Sequence, residues 1–101
     1  MSDSGSRLNL SVLIPDGTPV VVTQVAGRDN VSINVFPGAG NTIAIEYSLT
    51  PGIVNGATPN WLAWDKGPIT SNTGDVYLGS MQALRFTRTA GSSVGVAEIS
   101  A

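Results

Sequence analysis

The sequence predicts an all-β domain, a β-sandwich or jelly roll of about eight short antiparallel strands. Val, Ile and Thr, which favour strands, make up 27 of the 101 residues, whereas the helix-favouring Lys and Glu number one and two. Short runs alternate apolar and polar residues, and turn residues recur about every 8 to 12 positions. No window sustains the 3.6-residue period of a helix.

The first half of the chain predicts four strands, each ended by turn residues. Residues 8–14 alternate in polarity and end at residues 15–17, Pro-Asp-Gly, where proline fixes φ and glycine allows a positive φ. Residues 19–25 are β-branched on both faces, so one face is expected to meet a second sheet or to be covered from outside the domain. Residues 31–35 and 43–47 each alternate with one polar face.

The second half predicts four more strands around two tryptophans. The first of them covers residues 61–64, and residues 69–75 are predicted to be a loop. The last three strands cover residues 76–78, 83–89 and 94–99. Gly91-Ser92-Ser93 predicts a short hairpin between the final two strands.

Composition predicts one domain, residues 8–101, preceded by a flexible N-terminal arm, residues 1–7, which is small and polar. Charged residues are 12% of the chain and the net charge is −2, which suits either a surface covered by partners or copies, or a plain polar surface. Without a basic surplus no nucleic-acid partner is expected, and no apolar run is long enough to predict a membrane span. Because Cys and His are absent from the sequence, we expect no disulfide, metal or other cofactor.

The sequence does not predict an enzyme. Glu46 and Glu98 are the only acidic pair that falls on predicted strands, and nothing in the sequence places those strands side by side. Serine is plentiful, but the histidine that usually deprotonates a serine nucleophile is missing. No catalytic residue is therefore assigned.

Four residues are candidates for an interface: Arg7, Trp61, Trp64 and Arg85. The odd spacing of the two tryptophans sends them to opposite faces of a strand, so one is expected in the core and the other outside. The outward indole is expected to anchor a protein contact, to stack on a glycan, or to be covered by the loop before it. Arg85 is expected either to pair with Glu46 or Glu98 across the sheet or to reach a neighbouring subunit.

Four motifs, E-Y-S-L-T-P (46–51), W-L-A-W-D-K-G (61–67), D-V-Y-L-G (75–79) and A-L-R-F-T-R-T-A-G (83–91), carry a resemblance to a known family. Together they resemble small all-β virion structural proteins of tailed bacteriophages, of the capsid decoration, cement or head-fibre type. Residues 1–40 share only the style of strands and turns. The chain lacks the long helical or proline-rich N-terminal arms of the better-known decoration proteins, which leaves a tail or fibre location open.

The resemblance implies a non-enzymatic protein that binds the outside of a capsid shell and stabilises it. Its partners would be the major capsid protein or another virion protein, and copies would form a homo-oligomer, a trimer or a dimer. The protein would be assembled in the host cytoplasm and located on the capsid surface of the virion. The alternative is a carbohydrate- or receptor-binding module of a phage tail fibre.

Overall fold

The structure, a computed structural model, describes residues 7–101, which form eight strands in two antiparallel sheets. The strands are β1 (Asn9–Ile14), β2 (Val20–Val22), β3 (Arg28–Phe36), β4 (Thr42–Ser48), β5 (Trp61–Ala63), β6 (Thr73–Met81), β7 (Ala83–Ala90) and β8 (Gly95–Ser100). A short 3₁₀ turn, Ile53–Asn55, precedes β5. Sheet I has the strand order β1-β8-β3-β6, and sheet II has the order β2-β7-β4-β5. The predicted all-β sandwich is confirmed.

The strand order is that of a jelly roll. The first strand pairs with the last, β2 with β7, β3 with β6, and β4 with β5, and every pair is antiparallel. This is one long hairpin of four strand pairs, rolled so that successive pairs fall in opposite sheets. The pairs β3–β8 and β4–β7 then join the hairpin pairs within each sheet.

The core fills the space between the two sheets. Phe86 is fully buried on β7, between Val20 of β2 and Ile45 of β4. On the facing sheet, Ile99 of β8 is the register partner of Ile33 of β3, and both are buried. Each strand turns alternate side chains inward, so the period of two in the sequence decides which residues form the core.

The predicted hairpin between the last two strands is wrong. The structure places β7 in sheet II and β8 in sheet I, so the loop through Gly91 carries the chain from one sheet to the other. Long-range pairing explains why β8 leaves β7: it lies between β1 and β3 and forms hydrogen bonds along both of its edges. A hairpin with β7 would give up both of these neighbours.

Several strand boundaries also differ from the prediction, among them the start of β3, which lies at Arg28 and not at residue 31. The second strand is shorter, Val20–Val22, because its pairing with β7 covers only those three residues. The predicted loop over residues 69–75 is partly strand, since β6 begins at Thr73. Pairing with β3 imposes the extended backbone on Gly74 and Asp75, two residue types that disfavour strands on their own.

A buried asparagine fixes the corner where β3 ends and the β7–β8 loop crosses between sheets. Asn41 is 2% exposed, and its Nδ2 donates to the carbonyl oxygens of Pro37 and Ser93, at 2.6 Å each. Its Oδ1 accepts the backbone N–H of Ser93 at 3.1 Å. Because both ends of the amide are used, this single side chain ties together two loops that are distant in sequence.

The two ends of the described domain pair with each other at Leu8 and Ala101. The backbone N–H of Leu8 donates to the carbonyl of Ala101 at 2.7 Å, and the N–H of Ala101 donates to the carbonyl of Leu8 at 3.0 Å. These bonds extend the β1–β8 pairing by one step. The predicted N-terminal arm lies outside the described residues except for Arg7, which is exposed.

Candidate interaction surfaces

Trp61 and Arg85 meet on the outer face of sheet II. Trp61 opens the edge strand β5 beside Ser48 of β4, whereas Arg85 lies on β7, on the other side of β4. The guanidinium carbon of Arg85 is 4.5 Å from the centroid of the indole ring, so the indole reaches across β4. Ser48, between them on the same face, is fully buried. Trp61 is thus the outward tryptophan, and it is half-buried.

Glu46 completes this group, which we call the Trp61 cluster (Trp61, Arg85 and Glu46). Arg85 and Glu46 are register partners; Arg85 Nε donates to Glu46 Oε1 at 2.8 Å, and Nη2 lies 2.7 Å from the same oxygen. The prediction that Arg85 pairs with a glutamate across the sheet is confirmed: the partner is Glu46, on the neighbouring strand of the same sheet, and not Glu98. A partly exposed ion pair contributes only about 0.2–1 kcal/mol. Its main effect is to hold the guanidinium against the indole.

The other candidate residues lie elsewhere. Trp64 is just past β5, is 6% exposed, and donates its backbone N–H to the carbonyl of Ile45 at 3.0 Å. Burial leaves it little surface for contact with a partner. Arg7 lies just before β1 of sheet I, whereas the Trp61 cluster is on the outer face of sheet II. The structure therefore brings Trp61 and Arg85 together and leaves Arg7 and Trp64 apart from them.

Quenching of tryptophan fluorescence measures this difference in exposure. We expect acrylamide to quench Trp61, observed alone in a Trp64→Phe variant, more strongly than Trp64 observed alone in a Trp61→Phe variant. Arg85→Ala, added to Trp64→Phe, should increase quenching further, because it uncovers the ring face beneath the guanidinium. Equal quenching of the two single-tryptophan variants would contradict the assigned burial.

An open groove of about 500 Å³ lies on one side of the sandwich, between the β5 end of sheet II and the edge strand β6 of sheet I. Its lining includes Tyr47, Trp64, Lys66, Asp75 and Tyr77. The rings of Tyr47 and Tyr77 have centroids 4.9 Å apart and planes inclined by 52°. Burial, and secondarily the neighbouring Tyr47, raises the pKa of Tyr77. The groove thus combines two partly buried tyrosine rings with the exposed charges of Lys66 and Asp75.

Asp75 protects the open edge of sheet I. Its Oδ1 accepts the backbone N–H of Val76 at 2.7 Å, and its Oδ2 lies 3.3 Å from Lys66 Nζ. The strand β6 pairs only with β3, and this pairing is interrupted by a register shift between Asp29 and Val31. Charges and bulges on an edge strand oppose the addition of a further strand. The outer faces of the sheets are therefore better suited to contacts than this edge.

The pKa of Asp75 tests this arrangement. The Val76 N–H, and to a smaller extent Lys66, lower the pKa of Asp75. Since the pKa is lower in the folded state, the carboxylate contributes its full stabilisation above the usual pKa of Asp, and this is lost as the pH falls through the lowered value. We expect Lys66→Ala to raise the pKa of Asp75 only partly, because the larger contribution remains.

An NMR titration of the aspartate carboxyl groups measures this shift. Asp16, whose pKa is lowered chiefly by the backbone N–H of Thr18, is the internal control and should titrate identically in both proteins. An Asp75 pKa that is the same with and without Lys66 would show that the ion pair does not form in solution.

The outer face of sheet I carries an apolar row that was not predicted from the sequence. Leu13, Val96 and Phe36 are register partners across β1, β8 and β3. Leu13 is 62% exposed and Phe36 is 38% exposed. Each of these apolar residues stands at a position of its strand that points outward, between two inward positions. An apolar residue at an outward position was the signal available in the sequence.

Beyond the apolar row, β1, β8 and β3 are polar on this outer face, whereas β6 contributes Gly74 and Val76. The next two cross-strand rows consist of Ser11, Glu98, Asn34 and Gly74, and of Asn9, Ser100, Ser32 and Val76. Glu98 is the only charged side chain in these rows, and it has no hydrogen-bond or ion-pair partner among residues 7–101. Because Glu46 is on the outer face of sheet II, the two glutamates lie on opposite sides of the sandwich.

In the described part of the chain, no group of three or more His, Cys, Asp or Glu side chains is placed to hold a metal ion. No helix within residues 7–101 is long and apolar enough to cross a membrane. Comparison with known proteins found no matching family model, no similar curated protein and no similar solved structure.

Proposed function

We propose that this protein is a non-enzymatic structural protein of a tailed-phage virion, most specifically a capsid decoration protein that binds the outer shell and stabilises it. The observation that carries the proposal is the exposure of apolar side chains on both outer faces of the sandwich. The Trp61 cluster and the 49% exposed Val21 lie on sheet II, and the apolar row lies on sheet I. Aromatic residues and arginine at weakly charged surfaces are typical of protein contacts.

Two further points support this function. Viral capsid domains are among the proteins that use the jelly roll, although the fold by itself does not specify a function. The motifs around Glu46, Trp61 and Arg85 resemble those of phage virion proteins, and these residues form one cluster in the fold. A shell that presents many equivalent sites allows individually weak contacts to hold an oligomeric protein firmly.

The test uses heads of a tailed phage that encodes this chain, purified from a mutant that lacks it. We expect the purified protein to cosediment with these heads, to saturate at a fixed number of copies per head, and to raise the temperature at which they release DNA. An unrelated jelly-roll protein of similar size and charge is the control. Absence of saturable binding to the heads would overturn the proposal.

A carbohydrate- or receptor-binding module of a tail fibre is the second candidate, and the groove favours it. Tyrosine rings can stack on sugar faces, and the Lys66–Asp75 pair offers both donors and acceptors to hydroxyl groups. Because Trp64 lines the groove, a bound glycan should change the fluorescence of the Trp61→Phe variant, and Tyr77→Ala should abolish that change. A glycan array without signal would exclude sugar binding.

A further inference from the structure

We infer that the outer face of sheet I, through the apolar row and Glu98, docks on an apolar protein surface that carries a lysine or arginine. The inference rests on the proposed function, which makes that surface part of a shell subunit. It goes further by assigning the side of the domain that faces the shell.

The apolar row is continuous and firmly supported. Its three side chains stand on adjacent strands, which lie about 4.7–4.9 Å apart, so they form one ridge about 10 Å long. Beneath the ridge, Ile14 and Val35 are fully buried and hold the two flanking strands. The bond from Asn41 to the carbonyl of Pro37 fixes the chain directly after Phe36. A rigid apolar ridge loses little conformational entropy on binding.

Glu98 determines the charge of the partner. It follows Val96 by two residues on the same strand and face, which places it about 7 Å from the ridge. Its neighbours across the strands, Ser11 and Asn34, are uncharged, and it has no ion-pair partner among the described residues. A carboxylate covered without a partner is costly, so a surface that covers the ridge must supply a cation to Glu98.

The same charge argues against a second copy of the chain on this face. Since β8 is a central strand, face-to-face packing about a two-fold axis through it would set Glu98 against Glu98. A front-to-back contact would have to offer Arg85 from the outer face of sheet II. That guanidinium is already held by Glu46 and Trp61 of its own chain. A different protein with its own free cation fits better.

The experiment measures binding to the heads that lack this protein, using variants of the docking face and one variant outside both outer faces. We expect Leu13→Ser combined with Phe36→Ser to weaken binding at least about tenfold. Glu98→Lys should weaken it by a similar factor, and Glu98→Gln should weaken it less and reduce its dependence on salt. The matched control, Val54→Ser, removes a 61% exposed apolar side chain from the 3₁₀ turn before β5 and should bind like the unmodified protein. Circular dichroism and thermal unfolding check that every variant is folded.

The outcomes separate the two proposals. If the unmodified protein binds and the Leu13/Phe36 and Glu98→Lys variants bind equally well, the docking face is wrong and the proposed function stands. If the unmodified protein does not bind, both are overturned. If light scattering shows a dimer that the Leu13/Phe36 variant converts to a monomer, a second copy covers the ridge and the inference is overturned.

Discussion

Gly91→Ala is expected to destabilise the domain by about 3–5 kcal/mol, a large part of the total stability of a domain of this size. Gly91 has φ +96°, a conformation that residues with a Cβ rarely adopt. A Cβ at this position would lie 2.7 Å from both the Cα of Asn41 and the carbonyl oxygen of Gly40, and would also overlap Asn41 Oδ1. Two of these three atoms are backbone, so the clash cannot be relieved by turning a side chain.

Gly40→Ala is the matched control for the Gly91 variant. Gly40 also has a positive φ, +74°, but no atom lies within 4 Å of the position that its Cβ would occupy. The free energy of unfolding of Gly40→Ala should therefore fall only by the cost of the left-handed backbone conformation, about 1–2 kcal/mol. Urea unfolding of both variants measures the difference. Equal losses would mean that the close approach of Gly91 to the Asn41 corner does not exist in solution.

Asn41→Ala is expected to cost about 2–4 kcal/mol of unfolding free energy. The substitution removes the hydrogen-bond partners of the Pro37 carbonyl and of the Ser93 N–H. The Ser93 carbonyl keeps one partner, because Arg88 Nη1 also donates to it at 2.6 Å. The decrease in unfolding free energy should thus reflect two unpaired backbone groups, the Pro37 carbonyl and the Ser93 N–H. Urea unfolding measures it, and Asn72→Ala, at an exposed loop position, is the control and should change stability by less than about 0.5 kcal/mol.

Asn41→Asp separates hydrogen bonding from packing at the same site. An aspartate keeps the shape of the side chain and can still accept the Ser93 N–H. When ionised it cannot donate to the carbonyls of Pro37 and Ser93, which would then face a negative charge. We expect this variant to become more stable as the pH is lowered and the carboxyl is protonated. Stability that does not change with pH would show that the side chain acts by volume alone.

The local features of this protein could be predicted from its sequence alone. Alternation with a period of two predicted one polar face for residues 31–35 and 43–47, and on the opposite face Ile33, Ile43 and Ile45 are buried. The three-residue spacing of the tryptophans was enough to predict opposite environments for Trp61 and Trp64. These predictions succeeded because the direction of a side chain along a strand depends only on its place in that strand.

Which strands are neighbours, by contrast, became known only from the folded domain. All eight strands are short and none carries a residue pattern that specifies its neighbour, so nothing in the chain showed that β8 would lie between β1 and β3 and not beside β7. The apolar row exists because of this strand order. Its members come from three strands far apart in sequence and share a face through the strand register alone. Asn41, which in the sequence marks only a turn, is buried because two loops close around it. Surfaces and corners of this kind arise from long-range pairing, which a local pattern does not encode.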